Sequence, residues 1–394
     1  MNLTFTTEQE DFRNQVRQFV RDNLLNKGFK VESKGLIADS DVSFSKAMSE
    51  KGWIGFTWPK SHWGQGRSYV EKTIMNEELY RVQAPIGYHF LADRQVGPSL
   101  IHFGSDWQRS FFLPRIVTAE KGMMFCLLFS EPDAGSDLAG IATTARKDGD
   151  YYIINGQKVW SSEAHLADYG WLLAKTNLDA GVSAHNACSE FILDMNLPGV
   201  KVRPLINIAG EHSFNEVFLD NVRVHKDYLV GTEHNGFRQI MAQVDYERAG
   251  IERLMQNYPV YDQLFDYMKV KQFQTRKPEL YAWAKDQLAR LTVEFETGRL
   301  LCYYTAWMID QGKKPTSQAA LCKVFCTQYE QRLNDMAMRI LGPMSMIRKN
   351  GSNAPLDVDV AACYLWQPSY TLQGGSVEIL KNIVALRGLK LPRD

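Results

Sequence analysis

The sequence predicts an α+β multidomain fold with three successive regions. These are an N-terminal helical domain at 1–124, a middle antiparallel β-barrel or sandwich at 125–232, and a C-terminal helical bundle at 233–394. Apolar residues recur with a helical period in the first and third regions and alternate with a period of two in the second. Helices, then strands, then helices indicate separately packed layers and not alternating βαβ units.

The first region begins with a helix-start signal. Thr6 carries a hydroxyl that can cap a first turn, and the acidic Glu8 and Glu10 follow it. GWIGFTWPKSHWGQGRS at 52–68 is rich in glycine and tryptophan and contains a proline, which predicts a loop. Helical periodicity returns from about 70 to 117.

The middle region has the pattern of short strands. DGDYYIINGQKVWSS at 148–162 alternates between apolar and polar residues, and Asn155-Gly156 within it predicts a turn. A run of such strands favours an antiparallel barrel or sandwich of roughly 100 residues. The further predicted strands are SEFILDM (189–195), VKVRPL (200–205), NEVFLDNVRV (215–224) and DYLVG (227–231).

The third region predicts long amphipathic helices. No G-x-G-x-x-G motif follows a strand and no G-K-[ST] loop occurs, which disfavours a dinucleotide-binding sheet and a P-loop. The predicted helices are 236–270, 278–311, 315–341 and about 375–387.

Composition excludes several classes of protein. Of the 394 residues, 45 are Lys or Arg and 45 are Asp or Glu, so no net field attracts nucleic acid or an anionic membrane. No window approaches the 18 uncharged apolar residues of a membrane span, and the first 20 residues lack the pattern of a signal peptide. We therefore expect a cytoplasmic protein without a membrane span.

The six cysteines are widely scattered. Cys322 and Cys326 are four residues apart in a helical pattern and can share a face, but no zinc-site spacing is present. We interpret the cysteines as buried thiols in a reducing compartment and predict no metal site.

One glutamate stands where a helix would be expected to carry an apolar residue. In VDYERAG, at 244–250, Glu247 falls in register with the stripe formed by Ile240, Val244, Ile251 and Leu254. The alternative interpretation is a solvated ion pair between Glu247 and the adjacent Arg248.

Several motifs, in order and spread along nearly the whole chain, resemble the flavin-dependent acyl-CoA dehydrogenases. This resemblance implies the family's fold, FAD as cofactor and an acyl-CoA substrate. The motifs are WPKSHWGQG (58–66), QRSFFLPRI (108–116), LLFSEPDAGSDLAGIATTA (127–145), YYIINGQKVWSS (151–162), NVRVHKDYLVG (221–231) and GGSVEILKNIVALRGLKLPR (374–393).

The resemblance also implies which residues bind the ligands. An indole offers a flat apolar face for the flavin ring, and small or hydroxyl-bearing loop residues allow close approach of a ligand. The implied flavin residues are Phe129, Ser130, Trp160, Ser162, Gly375 and Ser376. The implied substrate residues are Gly135, Ser136, Asp245 and Gly374.

The family's catalytic acid is missing from its more common position. Many members place a glutamate in the C-terminal loop, where this chain has Gly374, preceded by the non-basic amide Gln373. Other members, which act on branched or long chains, place the base in an L-D-x-E-R context, and V-D-Y-E-R at 244–248 is similar to it. The resemblance thus implies Glu247 as the base, with its pKa raised by an apolar cavity, and Arg248 as the residue that orients it.

Two further departures concern the oligomer. The family's R-x-x-F-G motif is absent from 268–283. In the family's Q-x-x-G-G motif, Arg339 replaces the amide and Pro343 replaces the last glycine. These motifs grip the neighbouring subunit's FAD in homotetramers, and proline has no N–H to offer. The chain therefore resembles the α subunit of heterotetrameric acyl-CoA dehydrogenases that shorten steroid side chains, although a homo-oligomer with other contacts is an alternative.

The sequence leaves three functions open. The leading hypothesis is α,β-desaturation of an acyl-CoA within β-oxidation, including one with a branched or steroid side-chain acyl group. An electron-transfer flavoprotein or a similar protein would accept the electrons. The second is an O₂-using flavin oxidase or monooxygenase on the same fold. The third is a non-catalytic subunit that binds CoA esters or only a partner.

Overall fold

The structure is a computed structural model that describes residues 4–31, 39–179, 181–241, 250–269, 278–349, 351 and 353–393. Its helices are α1 (Thr7–Asn23), α2 (Val42–Glu50), α3 (Tyr69–Arg81), α4 (Gly87–Leu91), α5 (Gly97–Phe103), α6 (Asp106–Val117), α7 (Tyr258–Lys269), α8 (Pro278–Asp310), α9 (Thr316–Leu341), α10 (Val360–Tyr370) and α11 (Val377–Ile383). Its strands are β1 (Phe125–Leu128), β2 (Thr144–Asp148), β3 (Tyr151–Lys158), β4 (Tyr169–Lys175), β5 (Cys188–Asp194), β6 (Val200–Ile206), β7 (His212–His225) and β8 (Leu229–Val230).

These elements divide into two compact units. The helical unit contains residues 1–39, 67–85 and 248–394, and the β unit contains residues 40–66 and 86–247. Helices α2 and α4–α6 therefore belong to the unit that holds the sheet. The domain boundaries after 124 and 232 stay a prediction.

The β unit is built on one sheet with the strand order β6-β7-β3-β2-β4-β5-β8, and β1 pairs with β4. Most neighbours are antiparallel, as predicted, but β4 pairs in parallel with both β1 and β2. Alternate residues of these strands face a core that includes Ile154, Leu172, Phe191 and Val217, which is the source of the period of two in the sequence.

The predicted turn at Asn155-Gly156 is wrong. Strand β3 runs through both residues, and its pairing with β7 shifts register between Ile154 and Gly156. The hairpin turn lies instead between β2 and β3, where Gly149 has a φ of +58°. A Cβ at Gly156 would lie 2.3 Å from Thr143 Oγ1, so the glycine permits a close approach within a strand and does not mark a chain reversal.

The helical unit begins as the sequence predicts. Thr6 caps α1 through a capping box with Gln9. A buried charge network then joins three helices: Glu77 Oε2 accepts from Arg13 Nη1 at 3.0 Å, and Glu77 Oε1 accepts from Arg299 Nε at 2.8 Å. Burial raises the pKa of Glu77, but Arg299 and Arg13 outweigh it and hold that pKa at about 2.

The predicted helix over 236–270 is interrupted. Residues 236–241 are helical, but Gly250 is extended, Ile251–Arg253 forms a short 3₁₀ turn, and α7 begins only at Tyr258. Sequence analysis also missed α10, which begins with the Asp359 side chain accepting from the Ala362 N–H. Within the described residues, no helix is long and apolar enough to cross a membrane.

Candidate active site

The loop after β1 and the segment after β3 are joined by hydrogen bonds in the β unit. The Ser130 carbonyl accepts from the Val159 N–H at 2.9 Å. One residue earlier, the Phe129 carbonyl accepts from Lys158 Nζ at 3.1 Å. The structure thus brings together the two segments that carry Phe129, Ser130, Trp160 and Ser162, four of the six predicted flavin residues.

A buried ion pair holds this junction in place. Lys158 Nζ lies 2.8 Å from Glu131 Oε1. The same carboxylate accepts from the backbone N–H groups of Ala142 at 2.5 Å and Thr143 at 3.0 Å. Glu131 therefore connects the start of the 129–143 loop, the end of that loop and strand β3.

The electrostatics of the pair favour the ionised form. Burial raises the pKa of Glu131, but Lys158 and the backbone hydrogen bonds outweigh it, so the pKa lies below its usual value. Burial lowers the pKa of Lys158 to about 8, against the opposing effect of Glu131. Both groups are therefore charged at neutral pH.

Trp160 is held on the surface of the β unit in an unusual backbone conformation. Its φ is +59°, and 62% of the residue is exposed. The indole makes an edge-to-face contact with Phe214 at 5.9 Å between ring centroids. The next residue anchors the chain, because the Ser161 N–H donates to the Asn215 carbonyl and Asn215 Nδ2 donates back to the Ser161 carbonyl.

Three further predicted flavin residues lie in the two joined segments. Ser130 and Ser162 are half-buried, and among the described residues neither hydroxyl has a hydrogen-bond partner. Phe129 is half-buried and packs against the cluster of Ala134, Ile141 and Leu173. An exposed flat indole, with one available hydroxyl in its own segment and one in the segment joined to it, suits a planar heterocycle that has an apolar face and a polar edge.

The predicted substrate residues of this loop lie on the surface. Gly135 and Ser136 are exposed, and a Cβ at Gly135 would meet no atom within 4 Å. The glycine leaves open space beside the loop but is not required by the fold there.

The C-terminal loop belongs to the helical unit. Gly374 and Gly375 have φ values of +67° and +94°, which favour glycine. The Gly375 carbonyl accepts from Lys323 Nζ at 2.8 Å. The Ser376 hydroxyl caps α11 by accepting from the Ile379 N–H, so this predicted flavin residue also has a structural role.

A buried arginine occupies the space beside Gly374. Arg253 is 1% exposed. A Cβ at position 374 would lie 2.5 Å from Arg253 Nη2, closer than unmoved atoms can approach. A side chain at the position of the family's more common acid would therefore need a left-handed backbone and a shift of the Arg253 guanidinium.

Three predicted residues, Asp245, Glu247 and Arg248, lie outside the described residues. Of the stripe that placed Glu247, Ile240, Ile251 and Leu254 are buried. Ile251 and Leu254 nevertheless follow the extended Gly250, so the helical spacing used in the prediction does not continue past residue 250.

Sequence reasoning missed Glu131, Lys158 and Arg253. Lys158 occupies an inward position of β3, as Tyr152 and Ile154 do, and a charged residue at an inward strand position signals a buried partner. Glu131 lies in the S-E-P-D-A-G-S-D part of the 127–145 motif, but the sequence interpretation assigned it no function. Arg253 has no local signal, because its neighbour Gly374 is far away in sequence.

Comparison with known protein families gives three matches in chain order. The acyl-CoA dehydrogenase N-terminal domain matches residues 6–120, the middle domain 126–222 and the C-terminal domain 234–389. These matches confirm the three-part fold class that the sequence predicts.

Two curated relatives are acyl-CoA dehydrogenases of Mycobacterium tuberculosis. IpdE1 is 32% identical over 391 residues, covering 98% of each chain, and FadE29 is 32% identical over 403 residues, covering 100% of this chain and 99% of the relative.

Two solved structures cover the full length of both chains. The first, titled "Tcur3481-Tcur3483 steroid ACAD", has a TM-score of 0.89 at 26% identity. The second, the ChsE4-ChsE5 complex from Mycobacterium tuberculosis, has a TM-score of 0.84 at 28% identity. The domain matches and the full-length relatives show that the chain belongs to the acyl-CoA dehydrogenase family, as an FAD flavoprotein and an oxidoreductase acting on acyl-CoA.

Proposed function

We propose that the chain catalyses α,β-desaturation of the CoA thioester of a bulky acyl group, branched or derived from a steroid side chain, with Glu247 as the base. One similar structure supports the substrate class, since it is described as a steroid ACAD. The family supports the reaction class.

The observation that carries the assignment of the base is the environment of Gly374, which has a left-handed backbone and the Arg253 guanidinium beside it. A carboxylate there would need a left-handed backbone at a non-glycine residue and would meet the buried Arg253 guanidinium. Even if accommodated, it would be held as an ion pair that lowers its pKa, and a base with a lowered pKa is a weaker base. The acid must therefore come from another segment, and Glu247 in V-D-Y-E-R is the candidate.

Phe129, Ser130, Trp160 and Ser162 would hold the isoalloxazine ring on the β unit. When bound, FAD supplies an acceptor for the β-hydrogen with its electron pair. The Glu131–Lys158 pair acts through the backbone, because it fixes the Phe129 carbonyl and the far end of the same loop.

Glu247 has the proton-transfer role. Its carboxylate takes the proton from the α-carbon, the α C–H bond breaks, and the electron pair becomes the new double bond as the β-hydrogen leaves. We assign Arg248 to orienting this carboxylate and Asp245 to the substrate side of the same segment. The open space beside Gly135 leaves room for a bulky acyl group.

We also propose that a second, similar subunit completes the enzyme. The Pro343 backbone has no N–H for a neighbour's phosphate, and Arg339 is used in an ion pair with Asp335 at 2.9 Å. Large apolar side chains remain exposed in the same unit, namely Met344, Met346, Leu372, Leu389 and Leu391. Exposed apolar side chains of this size suit contact with another protein subunit.

Replacing the base tests the reaction. We expect Glu247→Gln in the assembled, FAD-loaded protein to lower kcat by about 10²- to 10⁴-fold, the usual contribution of general-base catalysis. FAD content and acyl-CoA affinity should stay near those of the unchanged protein. Glu252→Gln is the matched comparison, because Glu252 is another carboxylate close to Glu247 in the sequence and is buried in the helical unit.

Near-full activity of Glu247→Gln would exclude Glu247 as the base. A chain that binds FAD and CoA esters but never bleaches the flavin absorbance, alone or with any partner, would instead be a non-catalytic subunit. Reduction by steroid side-chain thioesters and not by short straight-chain thioesters would support the bulky substrate.

Co-expression tests the partner. The chain purified alone should hold less FAD than the chain co-purified with a second acyl-CoA dehydrogenase-like subunit. Full FAD occupancy and full activity of the lone chain would remove the partner proposal and leave the assignment of Glu247 standing.

A further inference from the structure

Three cysteines of the helical unit meet at one point. Cys302 Sγ lies 3.5 Å from Cys322 Sγ and 3.9 Å from Cys326 Sγ, and the last two atoms are 3.9 Å apart. All three residues are completely buried and none forms a disulfide. We propose that Cys302, Cys322 and Cys326 form a binding site for one thiophilic metal ion.

Two helices create the cluster. Cys322 and Cys326 are one turn apart on α9, so their side chains lie on the same face. Cys302 comes from α8, and both other sulphurs lie within 4 Å of its Sγ. Sequence spacing shows only the pair at 322 and 326, because the third ligand depends on how α8 packs on α9.

The sulphur triangle has the size that a metal ion requires. Zinc–sulphur bonds are about 2.3 Å long. Three sulphurs at that distance from one ion are about 4.0 Å apart in a planar site and about 3.8 Å apart on one face of a tetrahedron. The observed separations of 3.5, 3.9 and 3.9 Å need shifts of only a few tenths of an ångström to receive an ion.

The ligand set selects soft d¹⁰ ions. Thiolates favour Cu(I) and Zn²⁺ over hard cations such as Mg²⁺. Among the described residues, the cluster of possible ligand atoms consists of these three sulphurs, which suits Cu(I), whereas Zn²⁺ or its analogue Cd²⁺ would take a fourth ligand. With three thiolates the charge of the site is −2 for Cu(I) and −1 for a divalent ion. The coordination number therefore favours Cu(I), whereas burial favours the divalent ion, whose site has the smaller net charge.

Binding is a proton exchange without oxidation. Each coordinating thiol loses its proton to solvent as its sulphur–metal bond forms, and the metal keeps its oxidation state. The bound ion would join α8 to α9 inside the helical unit and would thereby stabilise that unit, separately from the flavin chemistry of the β unit.

The experiment measures metal content in the whole FAD-loaded protein. The protein is purified from cells grown with added zinc or copper, dialysed against a weak chelator, and analysed by elemental mass spectrometry. Cd²⁺ titration, read as sulphur-to-cadmium charge-transfer absorption above the flavin background, gives affinity and thiolate number. We expect one ion per chain and at least about 100-fold weaker Cd²⁺ binding in Cys302→Ala.

Cys363→Ala is the matched control, since Cys363 is a buried thiol of the same unit outside the cluster; it should bind like the unchanged chain. If the unchanged protein retains no more zinc, copper or cadmium than Cys302→Ala does, the metal site is excluded and the cluster is three packed thiols. X-ray absorption on the unchanged protein decides the matter even if Cys302→Ala does not fold. Three sulphur neighbours around the ion support the site, and only nitrogen and oxygen neighbours overturn it.

Discussion

The β unit and the helical unit each bury a carboxylate, but they treat it differently. Glu131 in the β unit faces Lys158 at 2.8 Å, and its pKa is held below the usual value despite burial. Glu330 in the helical unit accepts from Asn257 N and Nδ2 and has no ion pair among the described residues, so burial raises its pKa to about 8. One carboxylate is therefore charged at neutral pH and the other keeps its proton.

The difference shows what decides the state of a buried acid. Burial penalises the charged form in both units. A cation within hydrogen-bond distance reverses that penalty, whereas amide donors reduce it only in part. In the β unit the charged pair fixes the loop that carries Phe129 and Ser130. The buried carboxylate of the helical unit is instead neutral and forms no ion pair among the described residues.

The largest expected effect comes from removing the cation of the β unit. Lys158→Met leaves Glu131 buried without its partner, and such a change costs about 3–5 kcal/mol of unfolding free energy. Because Lys158 also donates to the Phe129 carbonyl, the variant should lose FAD more readily. Urea unfolding and flavin retention on gel filtration measure the two effects.

Lys226→Met is the matched control in the same unit. Lys226 forms an exposed ion pair with Asp150, and its loss should change stability by no more than about 0.5 kcal/mol. Adding Glu131→Gln to Lys158→Met should restore part of the loss, since the uncompensated charge is then removed. Equal stability of the two lysine variants would contradict the positioning role of the pair.

The second effect is expected at Gly374 in the helical unit, beside the Arg253 guanidinium. Gly374→Glu must adopt a φ near +67° and displace Arg253 Nη2, which we expect to cost about 1–3 kcal/mol. Gly312→Glu is the control, because Gly312 has the same φ of +67° but open space around its Cβ position; it should show the backbone strain alone. Thermal unfolding of both variants gives the difference.

The same substitution tests where the base can stand. In Glu247→Gln/Gly374→Glu, the new carboxylate is expected to pair with Arg253, so the double variant should stay as inactive as Glu247→Gln. Recovery of activity would show that position 374 is open to a working base and would weaken the argument from Arg253.

The third effect is a pH dependence of stability that comes from the neutral acid of the helical unit. Unfolded Glu330 ionises near its ordinary value of 4.5, whereas in the folded unit its pKa is about 8. Between these values the folded state retains a proton that the unfolded state loses, so stability falls as pH rises and levels off above the folded pKa. Glu330→Gln should remove this dependence, changing the stability difference by at most about 1.4 kcal/mol per pH unit.

Urea unfolding of both proteins across this window is the measurement, with the exposed Glu279→Gln as control. A constant difference between the unchanged chain and Glu330→Gln across the whole window would show that Glu330 is ionised in the folded state.

The sequence predicted the order of helices, strands and helices because periodicity is a local property, and the Thr6 cap and the loop at 52–68 were predicted for the same reason. The prediction failed where the conformation of a residue depends on tertiary contacts that local sequence does not show. Gly156 has the sequence context of a turn but allows Thr143 to approach β3. Gly250 is extended within a stretch that the apolar spacing predicted to be helical as far as 270.

By itself, the sequence determined the family and the cofactor, because those are encoded in motifs whose residues are neighbours in the chain. Only the tertiary structure decided which charges meet. Lys158 contacts Glu131 across 27 residues, the thiol of Cys302 reaches that of Cys322 across 20 residues, and Arg253 fills the space beside Gly374. The physical reason is that burial makes a charge or a thiol depend on whatever lies within a few ångströms, and helix and strand packing, not sequence spacing, sets that neighbour.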